Sequence, residues 1–160
     1  MVRLMKITEA IVAEHVTFMN MFDQIELLLP SMNSQAEVSI IATMVEGLLG
    51  DHAQLETKFA FVPLDHAVLH KLQIETMHRE HHEMDDRLHQ VHRAGTCKQA
   101  RRLLRAAMRA SVRHFRDEER YILPALERAL KPEALAALGK GFEDIRRGEA
   151  KPREERALNG

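Results

Sequence analysis

The sequence predicts an all-α protein, an antiparallel up-down-up-down four-helix bundle with a short additional C-terminal helix. Three observations support this prediction. Leu, Ala and Met fill most apolar positions while Trp is absent, a choice of residues that favours helices over strands. Four long segments repeat their apolar residues with helical spacing. The connections between these segments are short, as they are in helix bundles.

Composition indicates a single domain of ordinary soluble character. The chain has 160 residues, of which 45% are hydrophobic and 29% are charged, enough for one proper core. We assign residues 1–147 to the bundle and expect the polar segment 148–160 to be disordered.

Charge and cysteine content exclude several classes of partner. A formal net charge of -1 provides no overall field to attract nucleic acid or an anionic membrane, and no apolar run is long enough to span a bilayer. The one cysteine, Cys97, excludes an internal disulfide and fits a reducing compartment. Charged residues near the beginning of the chain are unlike a signal peptide. We therefore expect a cytoplasmic protein that binds neither nucleic acid nor membrane.

The first two predicted helices span residues 8–29 and 37–61. In the first helix, His15 lies in the middle of an apolar stripe. That stripe consists of Ile11, Phe18, Phe22 and Leu29. In the second helix, His52 and Glu56 share the apolar face, and Pro63 is expected to end the helix.

The third helix is predicted over residues 66–93. Its apolar stripe consists of Ile74, Met77, Met84 and Leu88. His81 lies on this stripe and His78 lies at its edge. His82 is about 100° from His81 and is expected to face solvent.

The fourth helix is predicted over residues 98–130, and a short fifth helix follows up to residue 147. His114 and Glu118 lie on the apolar face of the fourth helix. Glu119 turns about 140° away from His114, so we expect it to be a surface partner of a nearby arginine.

The second and fourth helices carry the same motif. His52 and Glu56, like His114 and Glu118, are four residues apart, so each pair lies within about 40° on one helix face. An aromatic residue and then a proline follow each pair. The first and third helices add His15 and His81, and the chain therefore consists of two similar hairpins that each supply His, His and Glu. Such a set suits a pair of iron ions, with imidazoles for each metal and carboxylates that can bridge them.

These residues resemble the hemerythrin-like (HHE, cation-binding) family, in its bacterial branch with four His and two Glu. The resemblance covers residues 8–130, and the segment from His114 to Pro124 is very similar to the family's most diagnostic one. It implies a four-helix bundle with a non-haem diiron centre, two iron ions joined by an oxo or hydroxo bridge. The resemblance implies four terminal imidazole ligands: His15, His52, His81 and His114. It implies two bridging carboxylates: Glu56 and Glu118.

Two departures separate the chain from the oxygen-carrying members of that family. Those members have a His-x-x-x-His pair on the third helix, whereas here Met77 stands four residues before His81. His78 is a candidate for a fifth imidazole ligand. Oxygen carriers also have an acid five residues after the last histidine, where Glu119 stands, yet Glu118 is better placed to point inward. Dedicated oxygen transport is therefore not favoured.

The resemblance implies that the protein binds or senses O2 or NO, or handles iron. The same ligands would also serve a diiron enzyme that reduces peroxide or NO or repairs iron–sulfur clusters. A third possibility is a metal-free structural or interaction bundle. We expect a small diatomic molecule or a peroxide as the ligand, and a monomer or homodimer as the assembly.

Overall fold

The structure is a computed structural model that describes residues 4–67 and 71–149, and all regular structure in these ranges is helical. The α-helices are α1 (Ile7–Leu28), α2 (Gln35–Glu56), α3 (Val62–Ala67), α4 (Lys71–His92), α5 (Cys97–Asp117), α6 (Leu123–Ala129) and α7 (Pro132–Arg146). A 3-10 turn, Leu29–Ser31, follows α1. The prediction of an all-α fold is confirmed.

Capping side chains and a proline explain where three of the helices begin. The Ser34 hydroxyl accepts a hydrogen bond from the Glu37 N–H, and the Glu37 side chain accepts one from the Ser34 N–H, so this pair closes the start of α2. Thr96 caps α5 by accepting from the Gln99 N–H. α7 begins with Pro132, whose missing N–H costs nothing in the first helical turn.

Two π-helical turns join α2 to α3 and α5 to α6: Thr57–Phe61 and Glu118–Ile122. The helical path therefore continues past Pro63 to Ala67, and the prediction that this proline ends the helix is wrong. A proline lacks an N–H and its ring collides with the carbonyl four residues earlier. The chain avoids the collision with a wider turn, in which the Val62 N–H bonds to the Thr57 carbonyl, five residues back. An equivalent bond precedes Pro124.

The apolar core has two halves. The first half includes Phe18, Phe22, Val45, Leu88, Leu104 and Phe115. The second half includes Ile7, Ile11, Leu55, Ile74, Ile122 and Leu126. Along α1, Ile11 belongs to the second half and Phe18 to the first, with the buried His15 between them. In α4, too, the core residues before His81 belong to the second half and those after it belong to the first. The predicted site residues thus occupy a polar layer between two apolar halves.

Parts of two predictions lie outside the described residues. The predicted third helix includes residues 68–70, and most of the predicted polar tail, from residue 150 onward, is also not described. Within the ranges that are described, no helix combines the length and apolar character needed to cross a bilayer.

Helix α7 packs directly on the beginning of α1. The contact is at Gly139, where an added Cβ would overlap the Met5 carbonyl oxygen and lie 2.8 Å from the Lys6 carbonyl carbon. Those atoms belong to the backbone and cannot rotate away. The close approach of α7 to α1 therefore requires glycine at this position.

We predict that Gly139→Ala lowers the free energy of unfolding by about 1–3 kcal/mol, the usual cost of overpacking. Gly47 in α2 is the matched control, because an added Cβ there meets nothing within 4 Å. Gly47→Ala should raise the free energy of unfolding by about 0.5–1 kcal/mol, because alanine favours a helix interior. Urea unfolding followed by circular dichroism measures both. Equal effects of the two substitutions would contradict the close packing at Gly139.

Candidate metal centre

The structure brings six of the seven predicted metal-ligating residues into two groups that could each hold a metal ion. The first group consists of His15, His52, Glu56 and Glu118, all of them buried. The second group consists of Glu56, His81 and His114. Within each group, one potential ligand atom from every residue lies within 4.8 Å of the others. Glu56 belongs to both groups and therefore connects them.

Distances in the first group are short. Nε2 of His52 lies 2.7 Å from Oε1 of Glu56. Nε2 of His15 lies 3.3 Å from the same oxygen and 3.3 Å from Oε2 of Glu118. Two imidazole nitrogens and two carboxylates therefore converge on one small volume.

In the second group, two imidazoles face each other. Nε2 of His81 lies 2.8 Å from Nε2 of His114 and 3.3 Å from Oε2 of Glu56. The two oxygens of Glu56 are thus divided between the groups, Oε1 toward the first and Oε2 toward the second.

Several buried atoms in this layer have no hydrogen-bond partner among the described residues. They are Nε2 of His52, Oε2 of Glu56 and both carboxylate oxygens of Glu118. Nε2 of His52 is close to Glu56, but its alignment is not that of a hydrogen bond. A buried polar atom without a partner costs about 1–3 kcal/mol. Imidazole nitrogen and carboxylate oxygen are common metal ligands, so bound metal would satisfy all four atoms.

Three of the histidines contact a further carboxylate through Nδ1, the ring nitrogen that does not face the other ligand atoms. The contacts from Nδ1 to the carboxylate oxygen are His15 to Glu119 at 2.8 Å, His52 to Glu14 at 2.7 Å, and His114 to Glu80 at 2.8 Å. A proton on Nδ1 leaves the lone pair of Nε2 free to bind a metal, and the carboxylate fixes the direction of the ring.

The sequence pattern did not predict these outer carboxylates as partners of the histidines. The prediction that Glu119 pairs with a surface arginine is wrong, because its carboxylate contacts His15. Glu14 and Glu80 each immediately precede a predicted ligand, and that repeated Glu-His pair was the available signal. Each of them contacts a histidine on another helix rather than its own neighbour.

His78 and His82 lie outside both groups. The ring of His78 packs edge-on against Phe61, with centroids 5.5 Å apart, and its centroid is 6.4 Å from that of His81. His82 is exposed, as its helix position predicts.

Burial and charge act against each other at the imidazoles. Burial opposes a positive charge on His15, but interactions with Glu118 and Glu56 outweigh it and raise the pKa of His15 to about 10. At His52, burial is outweighed by attraction from Glu56 and by the contact with Glu14, which raise the pKa to about 9. Burial and repulsion from Glu56 raise the pKa of Glu118 well above its ordinary value. The raised pKa values of His15 and His52 favour their protonated forms, and a metal ion must displace those protons to bind.

The family model of the hemerythrin HHE cation binding domain matches the chain over residues 6–126 and again over residues 72–147. Both metal-ligand groups lie within the first of these ranges. No curated protein and no solved structure matches the chain.

We predict that the metal-stripped protein loses stability as the pH rises from 7 to 10. The pKa values of His15 and His52 are raised above the ordinary value of 6.5, so their stabilising contribution is fully present below that pH, declines as the pH rises above it, and is lost once the pH passes about 9 to 10. The loss should be on the order of several kcal/mol. Urea unfolding in the presence of a chelator measures it. Metal-loaded protein is the control, because its ligands have already lost those protons, and constant stability of the stripped protein would contradict the prediction.

We predict that His81→Ala abolishes metal binding at the second group, whereas His82→Ala keeps the full metal content. The two residues are adjacent in α4, but only His81 lies in a metal-ligand group. Metal analysis after gel filtration measures both variants. Loss of metal in His82→Ala with full retention in His81→Ala would show that α4 is rotated relative to this structure.

Proposed function

Because the chain belongs to the family of hemerythrin HHE cation-binding domains, we propose that it binds two iron ions in its core and uses them to bind or sense O2 or NO, or to handle iron. One observation carries the proposal. Glu56 is completely buried, it belongs to both metal-ligand groups, and one of its oxygens has no hydrogen-bond partner among the described residues. A carboxylate in that situation suits a bridge between two metal ions.

We assign His15, His52 and Glu118 to one iron, and His81 and His114 to the other. Glu56 would bridge the two. Glu118 lies in only the first group, but both its oxygens lack a hydrogen-bond partner among the described residues, so it could act as the second bridge. His78 is left out of this set, because its ring packs against Phe61.

The proposal includes the antiparallel up-down-up-down order of the four long helices. The two apolar halves of the core support that order. Along α1 and α4 the chain passes from the second half to the first. Along α2 it passes from the first half to the second, as it does from α5 into the π-helical turn Glu118–Ile122. This alternation is what we expect if consecutive long helices run in opposite directions through the polar layer.

Iron would supply one-electron redox chemistry and a coordination position for a small external ligand. The surrounding residues make the site apolar on one side. The ring of Phe115 stacks on His15 at a centroid distance of 4.2 Å, and Phe18 packs edge-on against His52 at 5.1 Å. These apolar rings shield that side of the site from water.

The second group favours an external ligand more than the first. The side chain of His81 is 13% exposed, while those of the first group are at most 2% exposed. A metal with a path to solvent can keep the open position that binding requires. We expect a diatomic molecule or a peroxide as ligand, and a cytoplasmic monomer or homodimer.

We predict that the purified protein takes up about two irons per chain and shows a near-ultraviolet charge-transfer band that changes when NO is added. Glu118→Ala should lose most of this band. Glu119→Ala removes only the outer partner of His15, so it should weaken metal binding about 10–100-fold yet keep the band at saturating iron. Iron analysis and absorption spectra measure all three proteins.

Less than about half an iron per chain after loading would overturn the proposal and favour a metal-free bundle. Repeated consumption of NO or H2O2 by the loaded protein would instead identify a diiron enzyme. If only Glu119→Ala loses the band, then Glu119 rather than Glu118 is the carboxylate ligand, at the spacing that resembles the oxygen carriers.

A further inference from the structure

Helix α7 reaches the metal-ligand groups through one arginine. Nη2 of Arg146 donates to Oε2 of Glu14 at 2.8 Å, and Nε donates to the other oxygen of the same carboxylate. The Glu14 oxygen that receives Nη2 also lies 2.7 Å from Nδ1 of His52. A continuous chain of contacts therefore runs from α7 through α1 to an imidazole of the first group.

This arrangement distinguishes Glu14 from the other outer carboxylates. Glu80 contacts His114 and Glu119 contacts His15, but neither has an arginine or lysine partner among the described residues. The two-point contact of a guanidinium with a carboxylate is both strong and directional. His52 is therefore the one histidine whose outer carboxylate is held by a second, positively charged residue in the described part of the chain.

The position of Arg146 is itself fixed by packing. Its guanidinium lies over the ring of Phe142, 5.6 Å from the centroid, and Phe142 is buried. Closer to the start of α7, Gly139 allows the helix backbone to contact the beginning of α1. These contacts hold α7 against the helix that carries Glu14, so the arginine is placed before any metal binds.

We propose that Arg146 is a positioning residue that tunes the metal held by His52, and that it thereby makes the two metal positions unequal. The inference rests on the proposed diiron function. A free carboxylate is a strong acceptor from Nδ1–H and gives the imidazole more anionic character, which favours the oxidised metal. Arg146 partly neutralises the negative charge of Glu14 and makes it a weaker acceptor. This favours the reduced metal at the position of His52.

The test compares the midpoint potentials of the two one-electron steps in iron-loaded proteins. Arg146→Gln should lower the potential of one step, because Glu14 becomes a stronger acceptor. Arg146→Lys keeps the charge and should restore part of the shift. Arg147→Gln is the matched control, because this neighbouring arginine contacts Glu143 rather than Glu14 and should leave both potentials unchanged.

Glu14→Gln separates tuning from simple loosening of the site. A neutral amide is a weaker acceptor than a carboxylate, so this substitution should raise the same potential that Arg146→Gln lowers. Shifts in the same direction would mean that both variants merely loosen the site, and would overturn the inference. So would identical potentials in Arg146→Gln and Arg147→Gln. If these proteins load two irons, the proposed function stands even when the inference fails, whereas absence of iron uptake overturns both.

Discussion

The burial of Glu56 among imidazoles is the interaction on which the rest of the structure depends. A buried carboxylate is costly unless charged or polar groups surround it, and this one is completely buried. His52 approaches it from its own helix, while His15 and His81 approach it from α1 and α4. Each helix must therefore bring its polar residue to the same level of the core. That requirement fixes the axial position of each helix relative to its neighbours. It also divides the apolar core into two halves.

Most of this polar layer could be predicted because helical periodicity is a local property. His15 and His81 interrupt apolar stripes, and the spacing of four residues puts His52 beside Glu56 whatever the neighbouring helices do. The outer carboxylates could not be predicted in the same way. Glu14 stands next to His15 in the sequence but contacts His52, so its role depends on how two helices are rotated relative to each other. No single helix contains that information.

The errors at Pro63 and Glu119 have one physical cause. Both predictions assume that α-helical geometry either continues unchanged or stops. A π-helical turn is a third outcome, in which the helix absorbs one additional residue per turn before the proline and then continues. Residues within such a turn do not lie where a regular helical wheel places them. Glu119 is the second residue of the Glu118–Ile122 turn, and the wider turn brings it toward α1, where its carboxylate contacts His15.

The same turn changes how the acidic pair on α5 bears on function. In a regular helix, Glu118 and Glu119 compete for one inward position, and the spacing to His114 would separate this chain from oxygen carriers. Here both carboxylates contact His15, Glu118 at Nε2 and Glu119 at Nδ1. One lies in a metal-ligand group while the other fixes the ring from behind, so the pair no longer represents a choice between two classes of protein. Only α4 then departs from the pattern of the oxygen carriers: Met77 stands where they have a further histidine, and His78 lies outside both groups.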